Sequence, residues 1–284
     1  MIPLLGGTFT MGSDRHYHEE RPAHQAKVEP FEIDAATVTN AAFSRFVAKT
    51  KYKTTAEIPL DPKSARGMPD DYFAAGSLVF HLTDGPVNLG DVRQWWDFVP
   101  GADWQHPDGP KSNIEDRMDH PVVHVSLIDA QAYAAWAGKT LPSEAEWEFA
   151  ARDGVETIYP WGDDLTEDEV VRANTWQGSF PWQNINQAPY SWPSNSGDPS
   201  RYGLYNMIGN VWEWTVDPYH PVHGRNSSCC TPARLVAEGN SFVVKGGSFL
   251  CAPSYCRRYR ATARSPQEGR SSTNNLGFRC VQRS

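Results

Sequence analysis

Apolar and polar positions follow a regular period in only a few stretches of the chain, and those stretches predict its regular elements. Gly6-Gly7-Thr8-Phe9-Thr10-Met11-Gly12 reads as a short strand between glycine turns, and Lys27 to Ile33 alternates like a second strand. Phe43, Phe46 and Val47 fall on one helical face, with Asn40 placed to cap that helix. Ile128 to Ala137 is rich in alanine, preceded by Ser126 and stopped by Gly138, so a second helix is expected there. Ser143 and Glu146 have capping-box spacing, which predicts a third helix running to about Arg152 before Gly154. Phe242 to Lys245 reads as a strand entering the Gly246-Gly247-Ser248 turn.

Elsewhere the period is lost. Lys53 to Pro121 is rich in Pro, Gly and Asp, with aromatic bulk from Trp95, Trp96, Phe98 and Trp104, and predicts either a long structured loop region, of the kind that often carries function, or a poorly periodic insertion. Composition points the same way: 22 Gly and 22 Pro interrupt regular elements while 11 Trp supply large buried surfaces, so ordered irregular structure is expected. A length of 284 residues is ample for a real core, and we expect one domain over 1–284. With 26 Lys and Arg against 34 Asp and Glu, the net charge of −8 implies no broad basic surface and argues against a nucleic-acid partner. No run approaches the ~20 apolar residues needed to span a bilayer. Met1 leads straight into Ile2-Pro3-Leu4-Leu5 without the charged and apolar regions of a signal peptide. The expectation is a soluble, cytoplasmic protein without a membrane partner.

The five cysteines, Cys229, Cys230, Cys251, Cys256 and Cys280, all lie in the last fifth of the chain, a distribution closer to a chemical site than to a secreted disulfide framework. Cys251-Ala-Pro-Ser-Tyr-Cys256 sets two thiols five residues apart around a Pro-containing turn. Two soft thiolates with few other donors favour Cu(I), whereas structural zinc takes four ligands and no zinc-type spacing is present. Arg257, Arg258, Arg260 and Arg264 follow, and their charge favours the thiolate forms. Spacing alone leaves a disulfide, or two buried thiols, open.

The segments Gly246-Gly247-Ser248-Phe249-Leu250-Cys251, Tyr255-Cys256-Arg257-Arg258-Tyr259-Arg260, Ala263-Arg264-Ser265 and Asn275-Leu276-Gly277-Phe278-Arg279-Cys280 closely resemble the C-terminal signature of formylglycine-generating enzymes. Further landmarks of that family recur in order: Gly6 to Gly12, Val38-Thr39-Asn40, His120 to Ser126, Leu141 to Glu148, Pro160-Trp161-Gly162 and Gly209 to Trp214. The resemblance spans nearly the whole chain. It implies an α+β domain of the formylglycine-generating, C-type-lectin-like fold, with little regular secondary structure. It also implies a copper-dependent oxidase that turns a cysteine of an unfolded or nascent sulfatase-type polypeptide, in a Cys-x-Pro-x-Arg segment, into formylglycine. In the family the matching cysteine pair holds Cu(I), the substrate cysteine joins as a third sulfur ligand, and O2 oxidises it.

Site residues follow from the same resemblance. Ser248 joins Cys251 and Cys256 as a catalytic candidate, and Tyr255, Arg264, Ser272, Asn275 and Ser77 fall where the family lines its substrate cleft. Asn206, Gly209, Val211 and Glu213 match a Ca2+ site, whose hard oxygen donors suit that ion. A second Ca2+ site begins at Asn174 and Thr175, but its later acidic ligand falls near Ala188. Ala261 and Ala134 or Ala135 stand where some members carry partner cysteines, which leaves Cys280 unpaired. Most landmarks specify the fold rather than the activity. Two alternatives therefore stay open: a non-catalytic binding module on the same fold, and an iron-dependent sulfoxide-synthase-like enzyme. A histidine site built from His120 and His124, or from His16 and His18 beside Glu19 and Glu20, could hold iron. The extended Pro121-Val122-Val123 stretch instead predicts that His120 and His124 are held apart.

Overall fold

The computed structural model describes residues 1–60, 73–167, 170–186, 190–223 and 239–283. Cys229, Cys230 and Ala188 lie outside the described residues. In chain order the strands are β1 (Ile2–Leu4), β2 (Gly7–Met11), β3 (His24–Val28), β4 (Phe31–Ile33), β5 (Gly76–Phe80), β6 (Trp96–Pro100), β7 (Thr166–Glu167), β8 (Val170–Val171), β9 (Trp212–Pro218), β10 (Ser241–Lys245), β11 (Arg264–Glu268), β12 (Leu276–Gly277) and β13 (Val281–Arg283). The helices are α1 (Asn40–Thr50), α2 (Leu127–Trp136) and α3 (Glu144–Arg152). Among the described residues, short strands and three α-helices joined by long irregular segments make this an α+β fold, as the Gly, Pro and Trp content implies. Among the described residues no helix is long and apolar enough to cross a membrane.

Local chemistry sets the helix ends. Thr39, not Asn40, caps α1: Thr39 Oγ1 accepts from Ala42 N at 3.2 Å, while Asn40 is the first helical residue and its Nδ2 donates to Arg117 O. Ser126 caps α2 and Ser143 caps α3, each in a reciprocal box, with Asp129 and Glu146 returning the bond. Phe43 and Phe46 of α1 pack against Tyr133 and Trp136 of α2, and Phe278 closes on Phe43 and Tyr133. The expected single strand from Lys27 to Ile33 is two. Pro30 lacks the N–H a ladder needs, and the chain turns there, so β3 pairs with β2 while β4 joins β1 and β13.

The largest sheet has the order β11-β10-β9-β12, and α3 crosses one face of it. The joint between them is charged and buried. Glu148 and Lys245 are both fully buried, with Lys245 Nζ 2.9 Å from Glu148 Oε2, and Arg152 donates to Glu148 Oε1. Arg264 of β11 grips Glu144 in a fork, Nε to Oε1 at 2.8 Å and Nη2 to Oε2 at 2.9 Å. Burial works against ionisation of Glu144, but Lys245, His223 and Arg264 outweigh it and hold the carboxyl well below the usual carboxylate range. On β9, Glu213 accepts from Arg279 Nε and Nη2, both at 2.7 Å, and from Trp147 Nε1 at 2.8 Å.

A buried charge left without its partner costs far more than an exposed one. Arg279→Met should therefore lower unfolding free energy by about 3–5 kcal/mol in urea titrations. Arg283→Met, which breaks a half-exposed pair with Glu146, should cost less than about 1 kcal/mol. Equal small losses would contradict this ordering.

Candidate active site

Lys245 ends β10, and the next two residues redirect the chain. Gly246 and Gly247 both hold positive φ, 93° and 76°. A Cβ on Gly247 would lie 2.9 Å from Tyr259 Cα and 3.0 Å from Arg258 O, so glycine lets this turn lie directly on the backbone that follows Cys256. Ser248 then begins a tight coil: Cys251 N donates to Ser248 O at 2.9 Å, and Cys256 N donates to Ala252 O at 3.0 Å. Trp176 N donates to Cys251 O at 3.0 Å and fixes the coil from outside.

This winding brings Cys251 Sγ and Cys256 Sγ to 2.8 Å as free cysteines. Cys251 is buried, and burial, the hydrogen bond to Cys256 and that neighbour's charge all push its thiol well up. Cys256 is pulled down to about 7, first by the hydrogen bond from Cys251 and then, against burial, by the Arg258 guanidinium. The pair therefore shares one proton, with Cys251 the thiol donor and Cys256 the thiolate.

The sulfurs sit at the base of an open cleft of about 580 Å³. Its walls are apolar and aromatic: Trp95, Trp96 and Phe180 with Leu78, Leu250 and Leu276. Tyr255 stacks on Phe180 at 4.5 Å and meets Trp95 edge-on at 5.3 Å, and burial pushes its phenol up to about 12, so it stays neutral. Ser248 and Asn275 line the cleft beside Cys251, with Asn275 Nδ2 donating to Ser248 Oγ at 2.9 Å, and the Ser248 hydroxyl also contacts Cys251. Among the described residues, no carboxylate or imidazole lines this cleft. The two thiol donors thus fit a soft, low-coordinate ion such as Cu(I), and the cleft lacks the carboxylates and imidazoles that harder ions favour.

The family described as "Sulfatase-modifying factor enzyme 1-like domain" matches residues 1–284. The chain belongs to this family. It is 48% identical over 289 residues to a formylglycine-generating enzyme of Mycobacterium tuberculosis, covering 99% of this chain and 97% of the relative. It is 38% identical to a Mus musculus relative named as an inactive Cα-formylglycine-generating enzyme 2, covering 99% of this chain and 85% of that protein. The solved structure of PvdO from Pseudomonas aeruginosa, at 23% identity and TM-score 0.65 over 99% of this chain and 93% of that one, shares the fold.

Three residues that the family resemblance places in the cleft stand outside it. Arg264 is buried, and its fork is spent on Glu144, with Nη1 donating to the His220 and Glu19 carbonyls. Ser77 of β5 and Ser272 are buried, their hydroxyls 2.7 Å apart, and Ser77 Oγ lies 2.8 Å from His124 Nδ1. His124 Nε2 faces Pro107 O at 2.8 Å, and burial lowers this imidazole to about 4, so it is neutral with its proton on Nε2. His120 bonds Ser191 instead, so the two rings have separate partners. Arg258 and Trp95, which the sequence offered as a charge near the cysteines and as aromatic bulk, are cleft residues, and Phe180 is one that pattern reasoning missed. Arg258 lies two positions past Cys256 in the signature, whereas Phe180 sits in a turn-rich stretch without period.

The two segments expected to bind Ca2+ pack together: Asn210 N donates to Asn174 O at 2.8 Å, and Gly209, at φ 78°, leaves room for that carbonyl. Their side chains differ from the expectation. Glu213 is already engaged by Arg279 and Trp147, three of the roughly four acceptor positions a carboxylate offers. Asn206 Nδ2 faces the carbonyls of Pro193, Ser194 and Ser196. Asn174 is the reverse case: it is buried, Nδ2 donates to Tyr190 O and Asn210 Oδ1, and Oδ1 has no partner. Thr175, next to it, is also buried. An orphaned buried oxygen fits a hard cation.

The shared proton predicts how the apo cysteines react. Iodoacetamide should modify Cys256 in preference to Cys251, with a rate that rises with pH through a midpoint near 7, read by peptide mapping. A midpoint at or above the free-thiol value of about 8.5 would contradict the thiol–thiolate arrangement.

Proposed function

We propose that this protein is a copper-dependent oxidase that uses O2 to convert a cysteine of an unfolded or nascent sulfatase-type polypeptide, in a Cys-x-Pro-x-Arg segment, into formylglycine. The observation that carries this reading is the Cys251–Cys256 pair, two soft donors 2.8 Å apart at the base of an open apolar cleft. Family membership alone does not carry it, because a binding module can share the fold.

Cys251 and Cys256 would hold Cu(I), which supplies O2 activation and an attachment point for the substrate sulfur. The remaining work belongs to the chain. The Trp95, Phe180 and Tyr255 wall takes the apolar part of the peptide and excludes water from the sulfurs. Cys256 enters as the thiolate and Cys251 gives up one proton, so a single deprotonation prepares both donors. Asn275 orients the Ser248 hydroxyl, which stands over Cys251 and can donate to oxygen held in the cleft. Two electrons leave the substrate cysteine and two come from an external reductant, so O2 is reduced to water. Hydrolysis of the thioaldehyde then releases the sulfur as hydrogen sulfide.

Ca2+ has a structural part in this reading, centred on Asn174, whose buried Oδ1 has no partner, and the adjacent buried Thr175. At a free concentration of about 100 Kd an ion bound only to the folded chain adds about 2.7 kcal/mol. Ca2+ should accordingly raise Tm above its value in chelator, and Asn174→Ala should remove most of that rise. A full response in Asn174→Ala would move the ion to the Asn206, Gly209, Val211 and Glu213 segment.

Supplied with Cu(I), reductant and O2, the protein should convert a Cys-x-Pro-x-Arg peptide to the aldehyde, seen by mass spectrometry as loss of the cysteine sulfur. Cys251→Ala and Cys256→Ala should each abolish turnover. Ser248→Ala should slow it roughly 10- to 100-fold, the range for a hydrogen bond to a charged or developing group. Fully copper-loaded protein that yields no aldehyde across varied peptides would favour the binding-module reading.

A further inference from the structure

Arg258 lines the cleft next to Cys256 and is held there from three sides. Its Nε and Nη2 both donate to one oxygen of Glu19, at 2.9 and 2.6 Å. Its guanidinium plane rests on the Tyr17 ring at 4.1 Å. Arg257 N donates to the Tyr17 hydroxyl at 3.3 Å, so the same tyrosine binds the backbone of this loop. Glu19 belongs to the short 3-10 turn His18–Glu20, far away in sequence, whose next residue Glu20 grips Arg260 and Thr262. A side chain of such length, left 26% exposed yet fixed by a carboxylate, a ring and its own loop, has lost its rotamer freedom before any ligand arrives.

A guanidinium has five N–H groups. Two are spent on Glu19, and one hydrogen bond supports the Cys256 sulfur. Arg258 lines the cleft, so N–H groups not spent on these partners can meet a ligand there. Glu19 already neutralises the charge, so the open donors suit a neutral acceptor better than a second carboxylate. In a cleft built for an extended polypeptide, the neutral acceptor that every substrate brings is a main-chain carbonyl. The sulfur of Cys256 and the open N–H groups are neighbours, and this limits the carbonyl to the residue that presents its thiol or to one beside it.

Resting on the peptidyl-cysteine reading above, we propose that Arg258, preset by Glu19 and Tyr17, is a substrate-positioning residue that donates to the peptide carbonyl at or beside the target cysteine. Its work is to fix the distance between that cysteine and the Cys251–Cys256 pair, independently of which side chains flank it. Lysine cannot replace it, because a point charge lacks the fork that reaches Glu19, Cys256 and the carbonyl together.

The test is binding without turnover. A Cys-x-Pro-x-Arg peptide with Ser in place of Cys is titrated calorimetrically into the full chain, alongside a copy in which the Ser carbonyl oxygen is replaced by sulfur, a poorer acceptor. Arg258→Met and Arg258→Lys should each weaken Kd about tenfold or more, as loss of a charge-assisted hydrogen bond would. The thioamide copy should bind the parent more weakly than the normal peptide, and bind Arg258→Lys equally with it. Glu19→Gln should fall between parent and Arg258→Met. Parent-like affinity in Arg258→Lys would show that charge suffices and overturn the proposal. So would an equal thioamide penalty in parent and variant. A parent that neither binds the Ser peptide nor converts the Cys peptide would instead overturn the substrate reading, and this inference with it.

Discussion

The architecture depends on charges that cannot be left alone in the protein interior. Glu144 and Glu148 on α3, Lys245 on β10, Arg264 on β11 and Arg152 form one buried cluster, and each charge has a partner within hydrogen-bond reach. The desolvation cost of such groups is several kcal/mol each, so the helix and the sheet have few ways to meet. Lys245 is the last residue before the Gly246-Gly247 turn. Fixing its ammonium on Glu148 fixes the place and direction in which the chain leaves the sheet, and from there the coil to Cys256 is wound. The chemistry is thus held in place by a buried charge cluster whose own residues, Glu144, Glu148, Arg152, Lys245 and Arg264, do not line the cleft.

Around the sulfurs the same low polarity has the opposite use. Two thiols 2.8 Å apart in an apolar setting cannot both ionise, and neither can escape the other's influence. The hydrogen bond from Cys251, and after it the Arg258 guanidinium, favour a thiolate on Cys256, while burial keeps the proton on Cys251. Aromatic side chains form much of the wall above them and no carboxylate or imidazole does among the described residues, so the cleft offers no anionic oxygen or ring nitrogen to compete for the position beside the sulfurs. The open side is where the third sulfur would enter.

Much of this was legible in the sequence because it depends on short-range chemistry. Ser126 and Ser143 announce their helices through caps, and Gly246-Gly247-Ser248 with Cys251 and Cys256 announces the site through spacing and family likeness. What was not legible depends on long-range pairing. Arg264 looked like a cleft residue until Glu144, 120 positions away, took its fork. Ser77 and Ser272 form a buried pair across 195 positions, and Glu213 had Arg279 as a partner that no local pattern could assign. Pro30 split one expected strand into two for a reason the sequence did contain, the missing N–H, but alternation on both sides concealed it. That Asn174 Oδ1 is buried without a partner is likewise a matter of packing that no local pattern shows.

The central claim is that two protein sulfurs form an open soft-metal site that a substrate sulfur completes. X-ray absorption at the copper edge tests it most directly, on protein loaded with one Cu(I) under anaerobic reducing conditions, before and after addition of a Cys-x-Pro-x-Arg peptide. The account predicts a first shell of two sulfurs without the peptide and three with it, and loss of the two-sulfur shell in Cys251→Ala. A shell dominated by nitrogen or oxygen, or one that the peptide leaves unchanged, would contradict it.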